Sequence, residues 1–137
     1  MKKYLLDTNI CIFYFKNKFG IEDKIKAAGE EMVFVSEITI AELKYGVANT
    51  EDLQKREENR KLVEVFQQNA NIIPIISVLD AYAEEKVRLK KLGKPIDDFD
   101  LLIGATALAN GLVMVTNNVK HLERLDGIAI EDWTQTK

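Results

Sequence analysis

One cysteine and one histidine, the residue types from which zinc sites are built, are all that this sequence contains. Cys11 alone can form no internal disulfide and no thiolate zinc site, and its place in an apolar run reads as a buried thiol in a reducing compartment. His121 has no partner at metal-ligand spacing, so it reads as a surface helix residue rather than a base. Basic charge is also short. The 19 Lys and Arg against 22 Asp and Glu leave a net charge of −3, so any nucleic-acid contact must be local rather than carried by overall charge. A long apolar run is missing too. Lys2 and Lys3 lead into a mere three apolar residues before Asp7, too few for a signal peptide. The longest uncharged stretch, residues 101–119, is divided by Asn110-Gly111 and Asn117-Asn118 into pieces too short to span a bilayer. The expectation is a cytoplasmic protein without membrane contact.

What is present is enough for one core. The 137 residues, 47% hydrophobic and 30% charged, suit a single folded domain over residues 1–137. Short apolar strand candidates at residues 4–6, 32–35, 72–76, 112–115 and 127–130 alternate with longer segments of helical pattern. This predicts an α/β fold, a central parallel sheet of four to five strands flanked by helices. Ser36 is placed to cap a helix over 37–48 and Ser77 one over 78–92, which Gly93 ends; Asp98 is placed to cap one over 99–110, which Gly111 ends. Residues 101–109 carry a single polar side chain, Thr106, and suit a central core helix. Residues 10–15, Ile-Cys-Ile-Phe-Tyr-Phe, with Phe19 beyond, are more apolar than so small a domain readily covers. Ile10, Phe13, Tyr14 and Phe19 are therefore a candidate partner surface, the alternative being ordinary packing on the sheet.

Four residues stand where a parallel sheet would bring them together. Asp7 follows the first strand, Glu42 lies in the helix after the second, Asp100 begins a helix, and Asn118 stands just past the fourth strand. Loops at the carboxyl ends of such strands converge on one crevice. Glu42 shares a helix face with Ile38, Tyr45 and Gly46, and Asp100 with Ile103, Gly104 and Ala107, so both point toward the body of the protein. Taken one at a time, caps, first-turn acids and turn residues are equally available roles. Taken together, three inward carboxylates repel unless one is protonated or a cation neutralises them. Oxygen ligands suit Mg²⁺, with Mn²⁺ as a substitute, and Mg²⁺ chemistry points to a phosphodiester substrate. Within Asp97-Asp98-Phe99-Asp100, Asp98 is best placed as the cap and Asp97 as a loop acid.

These residues lie in segments that resemble the PIN-domain family and, within it, the VapC toxins. Leu5-Leu6-Asp7-Thr8-Asn9-Ile10, Ser36-x-x-Thr39-x-Ala41-Glu42-Leu43-x-x-Gly46, Gly93-x-Pro95-Ile96 with Asp100-Leu101-Leu102-Ile103, Val115-Thr116-Asn117-Asn118 and Glu131-Asp132-Trp133 match the family's motifs in order. The resemblance implies metal ligation by Asp7 and Asp100 with Glu42 completing the cluster, and supporting hydroxyls from Thr8 and Thr116. Asn118 sits where many relatives have a fourth acid, so here it would orient a water or a carboxylate without adding charge. The resemblance also implies endoribonuclease activity on structured RNA, a VapB-type antitoxin encoded alongside, and a homodimer.

The sequence adds a basic run, Lys86, Arg88, Lys90, Lys91 and Lys94, with no acid among them and leading toward Asp100. It suits flanking phosphates, or else is a solvated helix face. Two rival functions fit an α/β chain of this size: a phosphoryl-accepting receiver-like domain, and a non-catalytic adaptor that keeps the fold. Asp7 lacks the adjacent acid of the first, and three intact carboxylates disfavour the second.

Overall fold

Leu5 and Leu6 are neighbours in sequence and both buried, at 0% and 2% exposure. Adjacent strand residues face opposite ways, so this strand must be covered on both sides. The computed structural model, which describes residues 1–135, shows the cover. β1 (Tyr4–Leu6) is the middle of a five-stranded, all-parallel sheet with β2 (Val33–Ser36), β3 (Asn71–Ile73), β4 (Val113–Val115) and β5 (Ile130–Glu131), in the order β3-β2-β1-β4-β5. A receiver-like domain is ordered 2-1-3-4-5; this sheet is not.

On the Leu6 face lie α1 (Thr8–Phe15), α2 (Ile21–Ala28) and α4 (Leu53–Asn69), which with Val33, Val35, Val115 and Trp133 form one core. On the Leu5 face lie α5 (Leu79–Lys91), α6 (Asp98–Asn110) and α7 (Val119–Leu122), whose Leu89, Leu101, Ile103, Ala107 and Leu122 pack with Met114 into a second. α3 (Glu37–Ala48) serves both, sending Ile40 and Leu43 to the first and Ile38 to the second. Cys11 is buried in the first core, and that burial pushes its thiol far above the ordinary range, which leaves it inert. Among the described residues, no helix is long and apolar enough to cross a membrane.

The expected strands and the capped helices are present, with shifts that have local causes. Ser36 caps α3 as expected, accepting from the Ile38 amide at 3.0 Å. Pro74 lacks an amide donor and ends β3, so the predicted strand 72–76 gives way to a 3₁₀ turn at Ile75–Val78. Ser77 is drawn into that turn, donating to the Pro74 carbonyl at 3.2 Å, and does not cap α5, which begins after Val78 without a side-chain cap. The cap of α6 is Asp97, accepting from the Phe99 amide at 3.2 Å, rather than Asp98. β5 begins at Ile130, three residues later than the predicted 127–130 strand, because Gly127 sits at a φ of +80° that no strand holds.

Two details aim the site. Gly104 of α6 lies so close to the segment following β4 that an added Cβ would meet Leu125 Cδ2 at 2.7 Å. The absent side chain lets α7 sit against the helix that carries Asp100. Order 3-2-1-4-5 also makes the gap beyond the carboxyl ends of β1 and β4 the switch point, where chains leave in opposite directions and a crevice opens.

Candidate active site

Asp7 leaves β1 at that crevice. It serves as both cap and pocket acid: Oδ1 accepts from the Thr8 amide at 2.8 Å, and Oδ2 accepts from Thr116 Oγ1 at 2.7 Å across the sheet. Thr116 is itself fully buried just past β4, and its Oγ1 accepts from the Asn118 amide at 2.9 Å. Only 5% of Asp7 is exposed, and burial holds its carboxyl above the usual carboxylate range despite both hydrogen bonds.

A second hydroxyl chain fixes Glu42. Thr8 Oγ1 donates to Glu42 Oε1 at 2.6 Å and lies 3.1 Å from Thr39 Oγ1. A hydroxyl has one proton, so Thr39 must be the donor to Thr8. Thr8 thereby ties the two acids together, its amide on Asp7 and its hydroxyl on Glu42. Thr39 is fully buried one turn before Glu42 on α3, and its role is invisible without the fold. The face that turns Glu42 inward is Ile38 and Thr39; Tyr45 and Gly46, expected on that face, are exposed.

Asp100, in the first turn of α6, is half-buried, and no side-chain hydrogen bond reaches it among the described residues. Ile103, Gly104 and Ala107 are buried beneath it, as their spacing predicts. Its carboxyl is pushed up to about 6, first by burial, then by the negative charges of Asp7, Asp97 and Glu42, with His121 acting in the opposite direction. The pocket therefore brings Asp7 and Glu42 within electrostatic reach of Asp100, and adds His121, whose Nδ1 lies 2.8 Å from Asn118 Oδ1. Sequence reading set His121 aside as a surface residue. It is exposed, but on α7 it faces the pocket, and the signal that could have found it is its position three residues after Asn118.

An all-oxygen set in which repulsion already raises one acid suits a hard divalent cation. Among the described residues no three such groups converge at ligand spacing. A cation held by one or two carboxylates, with waters filling its other positions, is the mode Mg²⁺ prefers, so the residues fit it without a closed cage.

The basic run divides in space. Lys86 is held by Asp98 at 2.8 Å and Tyr82 at 3.2 Å, and Arg88 by Glu85 at 2.8 Å with a further bond to the Arg124 carbonyl at 2.6 Å. Lys90, Lys91 and Lys94 are exposed and make no ion pair among the described residues. The apolar run divides as well. Ile10 is fully buried, so it belongs to the core and not to a partner surface; Phe13 is half-buried with exposed Phe19 packed edge-on, ring centroids 4.9 Å apart. Tyr14 and Phe15 instead border a groove of about 670 Å³, completed by Ile25 of α2, Leu62, Val65 and Phe66 of α4, and the edge of β2. Glu30, Glu58 and Lys61 also border it, but Asp7, Glu42 and Asp100 do not line it.

Known proteins resemble this chain over nearly its whole length. The PIN domain model matches residues 4–128. The chain is 33% identical to the tRNA(fMet)-specific endonuclease VapC of Shigella flexneri, covering 98% of this chain and 100% of that protein. It is 36% identical to the VapC of the same description from Salmonella typhimurium, covering 97% and 99%. Among solved structures, DNA-bound VapBC from Salmonella typhimurium superposes with a TM-score of 0.87 at 33% identity, over 97% of this chain and 99% of that one. VapBC2 from Rickettsia felis bound to a promoter DNA fragment gives 0.84 at 29%, over 95% and 98%.

Proposed function

Because the chain belongs to the PIN-domain family, as a VapC-type ribonuclease, we propose that Asp7, Glu42 and Asp100 are its catalytic acids, acting with Mg²⁺ on tRNA as the toxin of a toxin-antitoxin pair. The observation that carries this reading is the convergence of the three acids at the β1/β4 switch point, Asp7 and Glu42 joined through Thr8 and both acting on the charge of Asp100. Asp7 and Asp100 would hold the cation, with Glu42 beside them, and the cation would supply charge neutralisation and an activated water. Thr8 and Thr116 keep the carboxylates fixed, so little reorganisation is needed when substrate arrives. Lys90, Lys91 and Lys94 lie on the α5 side of the Asp100 loop and would hold flanking phosphates. The tRNA substrate rests on the names of the relatives from Shigella and Salmonella.

The antitoxin's place is the apolar groove of Tyr14, Phe15, Leu62, Val65 and Phe66. Relatives solved as VapBC complexes supply the partner class, and a helix laid in an apolar groove is a common mode of such binding. An Arg or Lys from the same partner would pair with the acidic pocket and keep the cation out. The homodimer follows the same family reading, and exposed Ile76, Leu79 and Val87 offer it an apolar surface.

The test is incubation of antitoxin-free protein with a tRNA(fMet) transcript and Mg²⁺, followed by mapping of the new 5′ ends. Cleavage at a defined site, absent with Asp7→Asn, supports the reading. An intact transcript together with intact total cellular RNA would end it.

A further inference from the structure

The structure holds a contact that the three acids do not explain. His121 Nδ1 and Asn118 Oδ1 are 2.8 Å apart. A carbonyl oxygen only accepts, so Nδ1 must carry a proton. With Oδ1 committed to the ring, the amide nitrogen of Asn118 is left without a protein acceptor among the described residues. The backbone of Asn118 is tied through Thr116 to Asp7, and the His121 ring is near enough to Asp100 for its charge to be felt there. The side chain is thus fixed at both ends, on the rim of the acidic pocket.

We propose that His121 is a positioning residue for RNA hydrolysis: its Nδ1–H holds the Asn118 amide so that Nδ2–H points into the pocket as a donor to a phosphate oxygen. This rests on the ribonuclease reading above. The His121 N–H occupies Asn118 Oδ1 and the amide nitrogen cannot ligate a cation, so Asn118 is assigned to the substrate rather than to a second metal position. Charge gathers on the phosphate's equatorial oxygens during transfer, and a donor already aimed there lowers the barrier without reorganisation. His121 is exposed and lies outside both cores, so its removal need not disturb the fold.

His121 is the sole histidine, so its ring nitrogens can be read in ¹⁵N-labelled full-length protein without assignment. In alkaline buffer the spectrum should show the Nδ1–H tautomer, and Asn118→Ala should release it to the Nε2–H form. Kinetics on the tRNA(fMet) transcript form the second arm. His121→Ala should lower kcat about 10-fold with KM unchanged, and Asn118→Ala about 100-fold. The double variant should be no worse than Asn118→Ala, since both remove one device. His121→Asn, which places an amide donor at the same branch point, should recover most of the rate. Mn²⁺ titration should give the same affinity for wild type and His121→Ala. An Nε2–H ring in the wild type, full kcat in His121→Ala, additive losses, or Mn²⁺ affinity falling in step with kcat would each overturn the proposal. A wild type that cleaves no RNA would overturn the preceding reading instead, leaving the tautomer to judge the contact.

Discussion

The acidic pocket and the apolar groove share the first strand, since Leu6 lines the groove and Asp7, the next residue, enters the pocket. They are built in opposite ways. Every pocket group except Asp100 is held by a hydrogen bond of 2.6 to 3.1 Å to a neighbour. The groove offers mostly apolar area, with Leu62 48% and Val65 58% exposed on α4, and hydrogen bonds such as those of Asn71 to the Glu30 and Val33 carbonyls lie only at its border. Fixed geometry suits a reaction, in which small displacements are costly. Exposed apolar area suits a partner that supplies the missing cover. Catalysis and inhibition can therefore be altered separately, although the two regions touch.

The sharpest break is Asp100→Asn, which should cut RNA cleavage by about 100-fold or more while leaving antitoxin affinity at high salt unchanged. Val65→Asp should do the reverse, weakening the antitoxin by about 30-fold with cleavage intact, measured by titration of the cognate antitoxin. If Val65→Asp also destroys activity, pocket and groove are one unit and the comparison fails. Phe13→Ala is the companion test of the other half of the apolar run, and a loss there equal to that at Val65 would extend the partner surface past the groove.

A smaller effect distinguishes the pocket by pH. Asp100 ionises at about 6 in the fold, against about 3.9 in an unfolded chain. Between those values the folded state keeps a proton that the unfolded state has released. The contribution of Asp100 to the stability of the metal-free protein should thus fall as pH rises from about 4 to about 6 and then level off. Thermal melts with Asp100→Asn should lack that part of the slope, and a matching slope in the variant would place the titration elsewhere. Smallest of all are the neighbouring acids. Asp97→Ala should cost about 1 kcal/mol through loss of the α6 cap. Asp98→Asn, which loosens an exposed pair with Lys86, should leave both melting and cleavage unchanged.

Much of this layout was legible in the sequence, and for physical reasons. Asp7 and Asn118 border apolar strands, and Asp100 sits over small residues at helical spacing, so topology and periodicity place them. Other features required the fold. Ser77 and Asp98 are good caps by type, but Pro74 and Asp97 decide where α5 and α6 begin. α4 buries only Val63 across its 17 residues, so no apolar stripe outlines the groove wall. Thr39 and His121 act through Thr8 and Asn118, contacts 31 and three residues away in the chain. The pairing of Lys86 with Asp98 likewise crosses from α5 to α6, which is why the basic run reads as freer in sequence than it is.

The central claim is that the three acids work by holding a cation. The most direct measurement is cleavage of the tRNA(fMet) transcript by antitoxin-free protein, first treated with chelator and then supplied with Mg²⁺ or Mn²⁺. The account predicts no cleavage in chelator, recovery with either ion, and no recovery for Asp100→Asn at any ion concentration. Undiminished cleavage in chelator would contradict it.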